Sequence, residues 1–484
     1  MQLSEITDTT ADALRRAGAR LADAMTPTLR LGVTGLARSG KTVFITALVR
    51  NLIAGGRLPF FAAMAQGRIA RAYLEPQPDD SLPRFAYEEH LGELAKDPPH
   101  WPESTRRISQ LRITIEFMPG TALRRAFSVG RLHVDIVDYP GEWLIDLPLL
   151  DLTFADWSRH AVAQAQAQSR AEAAKPWLAF LGPLDPGSPA HEQTALTGAG
   201  LFTRYLQDAR APDLALTAPG PGRFLLPGDL AGSPLLTFFP LPPAPAGSYA
   251  RGSLGAMLAR RFERYKTHVV KPFFRDHFAR LDRQIVLIDA LSAINAGPGA
   301  LVDLESSMQA ILRCFRPGAN SWLSSILAPR IDRLLFAATK ADHLHHTSHD
   351  RLEAILRLLA DKAIARAEFA GAEVKAMALA ALRATREAEA RQGWQRLPCI
   401  VGVPLPGERL GRKVFDGRTE AAIFPGDLPA DPTDLSLAAQ PDAVHFLRFR
   451  PPRVDLDAPS GEAPALPHIR LDRVMDFLLG DRLA

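Results

Sequence analysis

The chain has 484 residues, enough for two or three domains, and 47% of them are hydrophobic, which suffices to fill their cores. Its 57 Lys and Arg against 53 Asp and Glu leave a formal charge of +4, so charge implies neither a nucleic-acid surface nor an acidic partner. Two cysteines, Cys314 and Cys399, stand apart in apolar stretches, which argues against a disulfide framework or a zinc site and for a reducing compartment.

No run of about 18 apolar residues is present, and the N-terminus lacks a signal-peptide pattern, so a cytoplasmic protein without a transmembrane segment is expected. Leu14, Ala17, Leu21 and Met25 recur at helical spacing, which predicts an amphipathic helix within residues 1–27. A buried-strand pattern, Leu29, Leu31 and Val33, then runs into Gly35-Leu36-Ala37-Arg38-Ser39-Gly40-Lys41-Thr42. An apolar helix follows, which Gly55-Gly56 should end. Strand, Gly-rich loop and helix together make a polyphosphate cradle, because successive N–H groups point into one concavity and the helix dipole adds to them. Backbone amides from Gly35, Ala37, Arg38, Ser39 and Gly40 through Val43 would hold phosphates. Lys41 would supply a point charge, and the Thr42 hydroxyl would be a Mg²⁺ ligand.

Residues 58–102 are Pro-rich and read as irregular. Ile108–Phe117 and Leu132–Asp138 alternate as half-buried strands and form a pair. The second ends in Asp138-Tyr139-Pro140-Gly141, where Asp138 is placed to hold the Mg²⁺ shell and Gly141 to offer its N–H to a γ-phosphate. Helical stretches at Ala155–Leu181, Thr194–Arg210 and Leu254–Leu281 then suggest an insertion, the last of them basic and aromatic in a way that fits a core face better than a binding stripe. The strand-helix alternation resumes with strands at Arg283–Asp289, Arg333–Ala338 and Val374–Ala381 and helices at Leu301–Cys314 and Arg351–Phe369. A hairpin turning at Asp416-Gly417, a strand at His445–Arg450 and a helix at Val474–Leu483 close the chain.

Thr339-Lys340-Ala341-Asp342 leaves the end of a predicted strand, where a base could lie. A carboxylate at Asp342 accepts both N1–H and the exocyclic amine of guanine, a pattern adenine lacks. The Lys340 stem covers one face of the base, and Thr339 starts the motif. Ala381 and Leu382, at the end of the next strand, are candidates for an amide to the guanine O6.

The ordered set Gly35–Thr42, Asp138–Gly141 and Thr339–Asp342 resembles the Ras-like P-loop GTPases. Asp138-Tyr139-Pro140-Gly141-Glu142-Trp143-Leu144, the Asp289–Gly297 stretch, Phe424–Pro429 and Leu466–Asp472 look like the bacterial YcjX family of stress-associated GTPases. The resemblance covers nearly the whole chain. It implies an α/β Ras-like P-loop GTPase domain, a mostly parallel sheet with one antiparallel strand, carrying a helical insertion and a small β-rich C-terminal appendage. The corresponding boundaries are 1–27, 28–150, 151–280, 281–405 and 406–484. It also implies GTP/GDP as nucleotide, Mg²⁺-dependent hydrolysis, and a cytoplasmic setting near a protein effector at the inner membrane. Against the general GTPase pattern, Thr339 replaces an asparagine. Glu142 stands where a water-orienting glutamine is common, so hydrolysis is expected to be slow. Thr105, with Ser104 as its alternative, is the expected switch threonine on Mg²⁺, and Arg38 is a candidate internal arginine finger. The rival readings are a P-loop ATPase or kinase and a nucleotide-holding scaffold with little hydrolysis.

Overall fold

The computed structural model describes residues 26–35, 38–56, 58–103, 107–120, 130–209, 220–242, 249–313, 331–369, 371–392, 394–434, 444–454 and 465–484. The helix expected ahead of residue 26, and the positions Ala37, Ser104, Thr105 and Cys314, lie outside the described residues.

Seven strands form the main sheet: β1 Thr28–Gly35, β2 Ile69–Leu74, β3 Ser109–Phe117, β4 Gly130–Asp138, β5 Arg283–Ile288, β6 Arg333–Ala338 and β7 Glu373–Ala378. Their order is β2-β3-β4-β1-β5-β6-β7. Strands β4, β1, β5, β6 and β7 run parallel, while β3 opposes both its neighbours. This is a Ras-like α/β sheet with one reversed strand. The central strands read as apolar runs because both faces are covered: all six positions of β5 are buried. Side chains alternate between the faces, so Val286, Ile288, Leu334 and Phe336 enter one core while Ile285, Leu287, Leu335 and Ala337 enter the other.

The second core is closed by α1 Lys41–Ala54, α2 Tyr87–Ala95 and the chain's last helix. Both α2 and β2 fall in the stretch read as irregular. Helix α2 buries Tyr87, Leu91 and Leu94, four and then three residues apart, which is one apolar stripe on a short helix. Strand β2 sits at the sheet edge and fully buries only Ala72, with Ala70 and Arg71 exposed side by side, so its sequence carries no clean alternation.

The first core is filled from the insertion: α3 Phe154–Ala165, α4 Ala171–Leu181, α5 Glu192–Ala209, α6 Leu254–Tyr265 and α7 Lys271–Asp276. Trp157, Trp177, Phe202, Phe238, Phe262 and Phe273 join the same cluster as Val286 and Phe336, so the insertion is cored on the sheet itself. The basic-aromatic stripe is therefore core on its aromatic side, and each such ring removed from water contributes about 1.5–3 kcal/mol. The Ala155–Leu181 stretch holds two helices instead of one, and buried Arg170, ahead of the second, pairs with Asp303. The Leu254–Leu281 stretch is likewise interrupted. The Lys271 N–H reaches back five residues to Lys266, making a π turn at Lys266–Val270, and Pro272 follows with no N–H to give.

Helices α8 Ala290–Ala296, α9 Pro298–Arg313 and α10 His349–Phe369 continue the alternation. Beyond β7, strands β8 Arg386–Gln392 and β9 Gln395–Gly402 pair, β10 Arg409–Leu410 pairs with β11 Lys413–Val414, and β12 Ala421–Ile423 joins β9. The expected hairpin at Asp416-Gly417 is not formed. The tight turn falls instead between β10 and β11, and the Asp416 carboxylate accepts the N–H groups of Arg418 (2.8 Å) and Thr419 (3.0 Å). His445–Arg450 is no strand either; Phe449 makes an isolated bridge to Pro404. The final helix, α11 Leu471–Leu479, returns to the main sheet and buries Val474, Met475 and Leu478 in the second core. Among the described residues no helix is long and apolar enough to cross a membrane.

Candidate nucleotide site

Because β4, β1, β5, β6 and β7 are parallel, the segments that follow them leave one edge of the sheet together, and this edge is where open α/β sheets hold ligands. The pairing of Val33 with Asp138, Gly35 with Leu287 and Ile288 with Ala338 sets the segments side by side.

At the end of β1 the chain must turn tightly. A Cβ on Gly35 would collide with the Ser39 hydroxyl and lie 3.1 Å from Leu287, so a side chain there fills the loop. Arg38 (φ 62°) and Gly40 (φ 77°) are both left-handed, the former exposed. Helix α1 then begins at Lys41 with no side chain capping it, which leaves its first N–H groups for an anion. Ser39 and Thr42 are buried, and Val43 lies half-buried behind them.

Lys41 pairs through Nζ with Oδ1 of Asp138, the last residue of β4. Asp138 is fully buried, and its Oδ2 has no hydrogen-bond partner. A buried carboxylate oxygen without a donor is costly unless a cation or water completes it. The Thr42 hydroxyl stands at the same loop and reaches the Glu103 carbonyl at 3.3 Å, which brings the segment leading to Thr105 to that hydroxyl. Carboxylate and hydroxyl oxygens are a hard donor set that fits Mg²⁺.

After Asp138, Gly141 opens a 3₁₀ segment, Gly141–Asp151, in which Glu142, Trp143 and Leu144 are buried. The insertion holds this segment. A Cβ on Gly222 would come within 2.5 Å of the Glu142 carbonyl carbon, and the Arg223 guanidinium lies 3.3 Å above the Trp143 ring. Asp146 accepts the Gly222 N–H at 2.6 Å and the Tyr265 hydroxyl at 2.6 Å. Burial pushes the Asp146 carboxyl up to about 6 against the pull of those two hydrogen bonds and of Arg223. Asp146, Gly222, Arg223 and Tyr265 were invisible in the sequence as a group, since as many as 119 residues separate Asp146 from its partners.

At the end of β6, Thr339 donates its N–H and its hydroxyl to the Ile288 carbonyl at 2.9 and 3.3 Å, tying this motif to β5. Lys340 adopts a left-handed turn (φ 62°) and pairs with Asp289, the cap of α8. Against its own burial, Lys340 and Ser292 hold the Asp289 carboxyl below the usual range. Asp289, which spacing alone did not single out, joins the candidate site through Lys340; its signal was its place at the end of the continuous apolar run. Asp342 is buried and accepts the Ala384 N–H at 2.8 Å, while Thr385 donates its hydroxyl to the Asp342 carbonyl. Ala380 and Arg383 donate to the Ile469 and Pro467 carbonyls, so Ala381 and Leu382 lie between two fixed amides.

Residues 29–483 match the sequence model of the YcjX-like family, DUF463. A protein of Escherichia coli (strain K12) named Ras-like GTPase YcjX is 37% identical over 465 residues, spanning 94% of this chain and 96% of that one. The Ras-like GTPase YcjX of Shewanella oneidensis is 35% identical over 480 residues, spanning 94% of each.

Proposed function

Because the chain belongs to the YcjX-like family, we propose that it binds GTP and GDP with Mg²⁺, hydrolyses GTP slowly, and acts as a nucleotide-dependent switch in the cytoplasm. The observation that carries this reading is the Lys41–Asp138 pair, with its orphaned Asp138 oxygen, on the same sheet edge as Lys340, Asp289 and Asp342.

In this reading the amides from Gly35, Ala37, Arg38, Ser39 and Gly40 to Val43 take the phosphates, and Lys41 moves from Asp138 to the terminal phosphates. Thr42 and Asp138, joined by Thr105, hold the Mg²⁺, which neutralises charge on the phosphate oxygens when bound. Gly141 offers its N–H to the γ-phosphate. Glu142 faces a poor task as a water-positioning group, since a buried carboxylate beside phosphate repels it; Arg38 is the candidate counter-charge. Asp342 reads N1–H and the amine of guanine, Lys340 and Thr339 shape the base pocket, and Ala381 or Leu382 supplies the O6 donor. A carboxylate left without its donors costs about 1–3 kcal/mol, which discriminates against adenine. The Gly141–Asp151 segment, packed on the insertion, carries nucleotide state toward a protein effector, and an inner-membrane protein fits the family resemblance.

The test is the nucleotide released from purified protein and its turnover with Mg²⁺. Asp342→Asn is expected to move preference toward xanthosine nucleotides, measured by competition binding; an unchanged GTP preference refutes the base assignment.

A further inference from the structure

The segment from Asp342 to the start of α10 carries four histidines, and two of them are occupied inside the fold. His343 is buried edge-on against Phe449 (5.2 Å between rings), and His349 Nε2 is hydrogen-bonded to the Ala341 carbonyl at 2.8 Å. The other two, His345 and His346, lie with ring centres 4.2 Å apart, tilted at 38° to each other, and face Glu387 on β8. His346 Nδ1 lies 2.7 Å from Glu387 Oε2, His345 Nε2 lies 3.8 Å from the same oxygen, and the three ligand atoms are all within 4.8 Å of one another.

We propose that His345, His346 and Glu387 form a Zn²⁺ site that clips the loop after Asp342 to the small β-sheet. Ligand atoms around a tetrahedral zinc with bonds near 2.0–2.1 Å stand about 3.3 Å apart, and the spacings of 2.7 and 3.8 Å to Oε2 bracket that value. Two imidazoles and one carboxylate are the borderline donor set that zinc accepts, with water in the fourth position.

The surrounding groups orient the ligands. His345 Nδ1 is 3.1 Å from the Thr347 hydroxyl, which turns its Nε2 toward Glu387. The His346 N–H donates to Glu387 Oε1 at 3.1 Å, and Arg383 approaches that same oxygen at 3.9 Å, leaving Oε2 to both rings. His345 is 14% exposed and His346 64%, so one ligand is shielded while the other gives the ion a way in. A simple His346–Glu387 hydrogen bond accounts for one ring; it leaves the aim of His345 Nε2 at the same oxygen without a purpose. The site lies where it matters, because Ala384 and Thr385, just before Glu387, hold Asp342.

Metal-stripped full-length protein titrated with zinc by calorimetry is expected to bind one Zn²⁺ per chain, with a higher thermal midpoint afterwards. Co²⁺ at the same site should give the intense visible absorption of a tetrahedral centre. Glu387→Gln, which keeps the hydrogen-bonding shape, and His346→Ala should each abolish both signals, while His268→Ala on the exposed side of the π turn should leave them intact. Absence of saturable zinc binding in the wild type, or binding retained in both ligand variants, overturns the proposal. The titration needs no nucleotide, so its outcome is separate from that of the Asp342 assignment.

Discussion

Replacing Tyr265 by Phe removes the hydroxyl that donates to Asp146, and its effect depends on pH in a way that only a buried, ionised Asp146 produces. Burial raises this carboxyl from the ordinary 3.8 to about 6, so between those values the native state holds a proton that the unfolded chain has released. Stability from this group is therefore greatest below about pH 4 and declines as pH rises through 6. The full penalty of the ionised form is on the order of 3 kcal/mol above that range. Tyr265 itself is pushed well above its ordinary range by burial and by Asp146, so it remains a donor at both pH 5 and pH 8. At pH 8 the lost bond is one to a charged group, worth about 1.5–3 kcal/mol; at pH 5 the acceptor is a neutral acid and the loss falls to about 0.5–1.5 kcal/mol. Urea denaturation of wild type and Tyr265→Phe at both pH values reads the difference, and Asp146→Asn should erase the pH dependence. An equal loss at pH 5 and pH 8 refutes the argument, because it would mean that Asp146 does not carry charge against Tyr265.

Two other changes probe the proposed phosphate loop. Gly35→Ala places a methyl against Ser39 and Leu287, and is expected to destabilise by about 1–3 kcal/mol and to weaken nucleotide binding; a fluorescent-nucleotide titration and a thermal melt check both. Lys41→Ala should abolish nucleotide binding and also lower stability by about 3–5 kcal/mol, because it strands the buried Asp138 carboxylate. Adding Asp138→Asn to it should recover most of the stability and none of the binding, which chemical denaturation and the same titration distinguish.

What the sequence made legible is what local chemistry dictates. Gly35 and Gly40 around a lysine, an aspartate at the end of an alternating strand, and Thr339–Asp342 after an apolar strand all reveal themselves within a few residues, because each depends on backbone conformation or strand period. The Lys41–Asp138 and Thr339–Ile288 contacts then follow from parallel strand order. Strand β2 carries no strand period because only Ala72 of its residues is fully buried, and the partner of Arg170 at the helix break is Asp303, 133 residues away, which no local pattern announces. The turn at Asp416 was misplaced because an aspartate can satisfy its own following amides as readily as start a hairpin.

The amino-acid sequence by itself determined the tight turn between Gly35 and Lys41, the placing of Asp138 and Thr339 at strand ends and the mostly parallel sheet, since these rest on φ/ψ preference and hydrophobic period. Only the tertiary structure decided that the insertion shares the core of the sheet, that Asp146 is buried between Gly222 and Tyr265, and that Glu387 meets His345 and His346. The Asp146–Tyr265 and His346–Glu387 contacts span 119 and 41 residues of chain, and no local preference encodes a partner that packing alone brings within reach.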